Sequence, residues 1–289
     1  MEKSKLISLE HLRVLEISGK GAFDLLQGQI TCDIEKINSE QSALGALCNA
    51  KGRVVSSFIV YLVKNDTYGL IMPKETLEIT NKEFRKYTPF YDVVTEDNDS
   101  LLFYAMKKSD FLDQYGQNFT ARSNTIEINR NKFISYLKKK YLLVISNNQK
   151  TEKIKVSSDI KLDTSNWDLD EILSLNFEVS EKSSGLYTPH ELSYDKNRVD
   201  FDKGCYTGQE IVARMHYRSK NLPGLSLAKT KDIAIKEHMK VVDQDSKKVA
   251  KILRVINWEN ESYCLISAKQ SKINGPIKIL ETDSILSII

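Results

Sequence analysis

A chain of 289 residues is too long for one ordinary hydrophobic core, so two or three domains are expected. Its hydrophobic fraction of 41% and charged fraction of 28%, with little proline and no low-complexity tract, are those of a soluble globular protein. A net charge of +3 is small for this length and demands no nucleic-acid face, and no apolar stretch approaches a membrane span. The opening Met1-Glu2-Lys3-Ser4-Lys5 leads straight into short alternating segments without a secretory signal. A cytoplasmic protein is therefore expected, with no direct nucleic-acid partner and no membrane partner. The longest basic run, Lys138-Lys139-Lys140, reads as a solvated strand end or turn.

Leu6 to Ser18 reads as two short strands or one bent strand. Ala22-Phe23-Asp24-Leu25-Leu26 is a helical turn, followed by Gln27-Gly28-Gln29-Ile30-Thr31. Strand patterns at Ala43–Ala50 and Arg53–Val63 are joined by a turn at Lys51-Gly52, and Thr67–Met72 makes a third strand. Pro73 opens a helix of about 14 residues with Leu77, Phe84 and Tyr87 on one side, and Tyr91–Thr95 closes the unit. A similar cycle follows: a strand at Leu101–Met106, a helix opened by Ser109, and strands near Ile126, Phe133–Leu137 and Tyr141–Ile145. Ser165-Asn166-Trp167-Asp168 has the form of a capping box, with Leu169, Ile172 and Leu173 continuing at helical spacing. Trp167 thus falls in a first helical turn, either as a core residue or as an aromatic platform for a planar ligand. Ser184–Asp202 is irregular, and beyond Pro223-Gly224 the alternation of Lys240–Asp243, Val249–Val255 and Tyr263–Ala268 predicts a small antiparallel barrel or sandwich.

The four cysteines, Cys32, Cys48, Cys205 and Cys264, and the four histidines are scattered, with no CxxC pair and no histidine at metal-ligand spacing. Neither a disulfide framework nor a metal site is expected; His216 either faces the site beside the cysteine helix or, the favoured reading, is an ordinary half-exposed helix residue, and Cys264 reads as structural within a strand. One stretch is different: Lys203-Gly204-Cys205-Tyr206-Thr207-Gly208-Gln209-Glu210. Thr207 and Glu210 have the spacing of a capping box, which predicts a helix from Gly208 with Cys205 just ahead of its positive end. Lys203 adds charge nearby, and both effects favour a thiolate. The alternative is a small cysteine packed at a loop-to-helix junction. Lys51, Arg53, Lys203, Arg214 and Arg218 are available for an anionic ligand. No histidine or aspartate recommends itself as a base for Cys205, and no phosphate-binding loop is present.

That octet resembles the signature of the YgfZ-type folate-binding proteins, relatives of the glycine-cleavage T-protein, the aminomethyltransferase. Phe23-Asp24-Leu25-Leu26-Gln27-Gly28-Gln29-Ile30-Thr31-Cys32-Asp33, Cys48-Asn49-Ala50-Lys51-Gly52-Arg53 and Thr188-Pro189 are similar to further blocks of the same family. The resemblance implies an α+β, three-domain ring of the aminomethyltransferase type: two α+β (ferredoxin-like) units, residues 1–98 and 99–222, then a small antiparallel β-barrel, residues 223–289. It also implies tetrahydrofolate as cofactor, and a role in assembling or repairing iron–sulfur clusters, including those of enzymes that modify tRNA. Partners would be iron–sulfur enzymes or cluster-assembly proteins. Carried onto this chain, the site comprises Cys205 and Lys203 for the chemistry, and Trp167, Lys51, Arg53, Tyr206, Gln209, Glu210 and Arg214 for the cofactor. Leu12 stands where some members carry a second tryptophan, and Leu175-Asn176-Phe177 replaces an Ala-Gly-x-Pro pattern.

Ser56 and Ser57 stand where the aminomethyltransferase relatives carry an acidic pair. A hydroxyl cannot replace a carboxylate as a base, which argues against aminomethyl transfer. The leading expectation is a folate-binding iron–sulfur maintenance factor with an essential thiol. A tetrahydrofolate-dependent aminomethyl or methyl transferase and a non-catalytic folate-holding adaptor are the alternatives, so whether the chain is an enzyme stays open.

Overall fold

Strand-forming runs, some alternating and some apolar throughout, build three separate strand sets along this chain. The computed structural model describes residues 6–120, 122–136, 140–147, 160, 161 and 163–289. Met1–Lys5, Leu137, and Lys138 and Lys139 of the basic run lie outside them. The chain begins β1 (Leu6–Ser8), β2 (Leu12–Ser18), α1 (Ala22–Gln29), β3 (Ala43–Cys48), β4 (Val54–Lys64), β5 (Thr67–Pro73), α2 (Lys74–Arg85) and β6 (Val94–Asn98). It continues with β7 (Leu101–Lys107), α3 (Lys108–Tyr115), β8 (Thr125–Ile128), β9 (Asn131–Tyr136), β10 (Tyr141–Asn147), β11 (Ile160–Lys161) and α4 (Ser165–Leu173). Last come α5 (Gln209–Arg218), β12 (Gly224–Thr230), β13 (Lys240–Val242), β14 (Lys248–Trp258), β15 (Glu261–Ala268), β16 (Ile277–Ile279) and β17 (Ile285–Ile288). Among the described residues, no helix is long and apolar enough to cross a membrane.

The chain folds into two compact units. The first comprises Met1–Thr164, Glu178–Leu186 and Asn197–Gln209. It contains an antiparallel five-stranded sheet in the order β3-β4-β5-β2-β6 and a six-stranded sheet in the order β11-β1-β7-β10-β9-β8. In the five-stranded sheet Leu15 pairs with Leu70 and Ile17 with Tyr68, so these side chains share one face. Leu25 and Leu26 of α1, with Leu77 and Phe84 of α2, complete that core. Pro73 caps α2 without being part of it, and the helix starts at Lys74. Phe111, Phe133, Leu142 and Val144 form the core on the six-stranded sheet.

Leu6–Ser18 does form two strands, and they part company: β1 pairs with β7 and β11 of the second sheet, while β2 lies in the first. Sheet membership therefore does not follow the expected division at residue 98. Leu9 N–H donating to Phe103 O (2.9 Å) fixes the exit from β1.

The second unit comprises Ser165–Phe177, Tyr187–Lys196 and Glu210–Ile289. Its barrel is closed, in the order β12-β15-β14-β13-β16-β17. Ala228, Ile252, Cys264, Ile266 and Ile279 fill it, so Cys264 is a packing residue, and burial pushes its thiol up to about 12. Arg254 of β14 ties α4 to the barrel, donating to Glu171 (2.7 Å) and Asp168 (2.9 Å). Ser165 is the first residue of α4 rather than its cap, and the Asp168 carboxylate goes to Arg254.

Candidate functional site

Cys205 is exposed, whereas Cys32, Cys48 and Cys264 are all buried. Burial pushes the Cys32 and Cys48 thiols up to about 12, so neither offers a thiolate near neutral pH. The loop that carries Cys205 is held on both flanks. On one side the Lys203 ammonium, 7% exposed, donates to the carbonyls of Gln27 (2.8 Å), Ile30 (2.7 Å) and Cys32 (3.0 Å). Those three carbonyls take all three ammonium hydrogens and tie the loop to the end of α1. Burial lowers the Lys203 pKa to about 8, against the opposing pull of Cys32, Asp33 and Asp200. Asp200 N–H donates to Thr31 O (2.9 Å), and the Thr31 hydroxyl donates to Arg198 O (2.5 Å), extending the same seam.

On the other side Gly208 meets the turn between β3 and β4. Its φ of +84° is left-handed, and a Cβ there would lie 2.4 Å from Asn49 O and 3.2 Å from Gly52 Cα. Only glycine meets both demands. Asn49 shapes that turn: its Oδ1 accepts from the N–H groups of Lys51 (2.9 Å) and Arg53 (3.1 Å), and Gly52 N–H donates to Asn49 O (2.9 Å). Arg53 donates to Leu186 O (3.0 Å) and Gly185 N–H to Val54 O (2.7 Å), which brings in the irregular segment after α4.

The expected capping box does not form as predicted. Because Gly208 is left-handed, α5 begins at Gln209, and the Thr207 hydroxyl donates instead to Gln29 Oε1 (2.8 Å). Three blocks far apart in sequence, at Gln27–Cys32, Asn49–Arg53 and Lys203–Gly208, therefore meet around one loop. Between its two anchors sit Gly204 and Cys205, both exposed, and a Cβ on Gly204 would meet nothing within 4 Å.

The chain is 31% identical over 198 residues to a tRNA-modifying protein YgfZ of Vibrio atlanticus (strain LGP32), covering 68% of this chain and 60% of that protein. It is 30% identical over 231 residues to the tRNA-modifying protein YgfZ of Colwellia psychrerythraea (strain 34H / ATCC BAA-681), covering 76% and 70%. The chain belongs to the YgfZ family. It spans less than two thirds of the length of the Vibrio relatives, 60% in Vibrio atlanticus and 66% in Vibrio vulnificus (strain YJ016). No family model matches it. In fold it is similar to the glycine cleavage system aminomethyltransferase T from Bartonella henselae, with a TM-score of 0.76 over 99% of this chain and 85% of that one at 11% identity. This YgfZ-family chain thus has the fold of the aminomethyltransferase type, with two sheets and a closed barrel.

Of the residues carried over from the YgfZ resemblance, Lys51, Arg53, Lys203, Cys205, Tyr206 and Gln209 lie in the first unit. Trp167, Glu210 and Arg214 lie in the second. Lys51 is exposed and Arg53 half-buried. Tyr206 is buried beside Lys203, whose ammonium lies 5.4 Å from the ring centroid, and burial raises its phenol pKa. Gln209 donates to Gly204 O (3.4 Å), closing the loop on itself. Glu210 and Arg214 are exposed on α5. Trp167 is buried, 1% exposed, in the first turn of α4.

Sequence reasoning missed the polar cluster under β4. Ser56 and Ser57 are both fully buried, and Ser57 donates to Glu178 (2.5 Å). Glu178 also accepts from Tyr136 (2.9 Å) and pairs with Arg198, itself 1% exposed and donating to the carbonyls of Phe58 (3.1 Å) and Gly45 (3.3 Å). Nothing in the linear sequence marks Glu178 or Arg198, since their partners lie far along the chain.

Proposed function

We propose that this chain is a tetrahydrofolate-binding factor that supports tRNA modification by maintaining iron–sulfur enzymes, with Cys205 as its essential thiol. The observation that carries the reading is an exposed cysteine in a loop that is bonded to one motif block through Lys203 and packed against another through Gly208. Relatives named as tRNA-modifying proteins point to the process, and the aminomethyltransferase-type fold supports folate as the ligand. Iron–sulfur enzymes or cluster-assembly proteins are the partners in this reading, and the cytoplasm its place.

Within it, Cys205 reacts with or holds a one-carbon unit, a sulfur species or a cluster. Lys203 acts through position: its ammonium fixes the loop rather than touching the ligand. The fit to folate rests on chain groups with defined properties. Lys51 is exposed and Arg53 half-exposed, and both carry cations suited to the folate carboxylates. Bound folate supplies one-carbon chemistry at its pterin nitrogens, while the chain binds, orients and presents the thiol. Ser57 is buried with its hydroxyl committed to Glu178, which supports a reading without aminomethyl transfer.

Titration with tetrahydrofolate tests the cofactor directly. With Trp258→Phe in place, tryptophan emission reports on Trp167 alone, since the chain has two tryptophans. A saturable change is expected, and one that shifts to higher concentration in Lys51→Ala and Arg53→Ala. Its absence, checked by calorimetry, counts against folate. Release of a one-carbon product from a defined donor would mark a transferase instead.

A further inference from the structure

The second unit gathers a set of side chains that the thiol site does not use. One ligand atom each from His190, Asp195 and His216 lies within 4.8 Å of the others. The two imidazoles face each other at 6.0 Å between centroids, tilted by 34°. They line a cavity of about 280 Å³ together with Asp195, Ser193 and Gln270. His190 is 4% exposed, and neither of its ring nitrogens has a hydrogen-bond partner among the described residues. A buried imidazole with both nitrogens unanswered is rare, because buried polar atoms are normally bonded.

The backbone around His190 is held while its ring is left open. Ser193 N–H donates to His190 O (3.0 Å) and Tyr194 N–H to Pro189 O (2.8 Å). The Ser193 hydroxyl accepts from Leu225 N–H (2.8 Å), which pins the loop to β12, and the Tyr194 hydroxyl donates to Phe177 O (2.5 Å). His216 comes from α5 and is exposed, and Asp195 is half-exposed, so both side chains reach the cavity from its solvent side. A metal bound to three such ligands at about 2.0–2.2 Å sets the ligand atoms closer together than in this arrangement, a change that small side-chain rotations supply. Among the described residues, Lys196 is the only lysine or arginine lining the cavity, and it is exposed, so its charge stays in water.

We propose that His190, Asp195 and His216 form a site for a first-row divalent transition metal, with the remaining coordination positions open to the cavity. Two imidazoles and one carboxylate are a set that zinc and ferrous ions take, leaving room for water or a small anionic ligand. The oxygen-only chemistry of magnesium or calcium does not suit it.

The test uses full-length protein stripped with a chelator and titrated with Co²⁺ alone, read by its visible absorption, followed by displacement with Zn²⁺. Saturable one-to-one binding is expected. His190→Ala, Asp195→Asn and His216→Gln should each weaken it by more than the ~10–100-fold lost on removing a supporting partner. His216→Gln lies on an exposed helix surface, so it keeps the test valid should His190→Ala fail to fold. Cys205→Ser should leave the spectrum unchanged. No saturable binding by folded wild-type protein, or binding that survives His216→Gln and vanishes in Cys205→Ser, would overturn the proposal.

Discussion

Lys203 and His190 are both basic side chains buried from water, and the fold treats them in opposite ways. Lys203 has every ammonium hydrogen met by a backbone carbonyl, so its charge is used to fasten the Cys205 loop. His190 has both ring nitrogens unmet, although the backbone beside it is well bonded. The difference separates a group that serves the structure from one held ready for something outside it. A buried polar group whose bonds are complete is costly to remove, whereas one whose bonds are absent already costs the fold. Substitutions can break or sharpen that contrast.

The largest effect is expected at another fully engaged group. Glu178→Ala leaves Arg198 buried without its carboxylate and should cost about 3–5 kcal/mol, seen as a lower denaturation midpoint. Lys203→Met strands three carbonyls and should cost about 2–3 kcal/mol at neutral pH. The pH dependence has a defined sign. Folding lowers the Lys203 pKa from 10.5 to about 8, so between those values the unfolded chain binds more protons. Wild-type stability should therefore rise relative to Lys203→Met as pH increases through that window; a fall would mean that the carbonyls outweigh burial.

Gly208→Ala forces a left-handed residue against Asn49 O and should cost about 2–3 kcal/mol, with Gly204→Ala as a silent control for stability. His190→Phe completes the contrast. In metal-free protein it should change stability by less than about 1 kcal/mol, because no hydrogen bond is lost. A loss as large as that of Lys203→Met would show that His190 is structural after all.

Much of the fold was legible because strand alternation is a local signal. The run Val249–Val255 and Tyr263–Ala268 appears as β14 and β15, paired in the closed barrel. The short β1 was legible as a strand but not as a member of the second sheet, since only its partners Tyr104–Met106 decide that. The Cys205 loop was legible as a motif, but spacing alone left a packed cysteine open, and only the fold exposes the thiol. Its helix start was misplaced by one residue because a capping-box spacing does not reveal that Gly208 is left-handed. Lys203 was read as a charge beside the thiol, whereas its reach back to residues 27–32 depends on tertiary packing. The Glu178–Arg198 pair and the cluster of His190, Asp195 and His216 are long-range meetings with no spacing rule to announce them.

On the proposed function, the Cys205 loop exists to present one thiol. Cys205→Ser, expressed in cells lacking their own copy, tests it most directly when tRNA modification and protein stability are measured together. The exposed position predicts a stability change within about 0.5 kcal/mol, and the proposed thiol role predicts a loss of tRNA modification to the level of cells without the protein. Normal modification by a stable Cys205→Ser protein would contradict it.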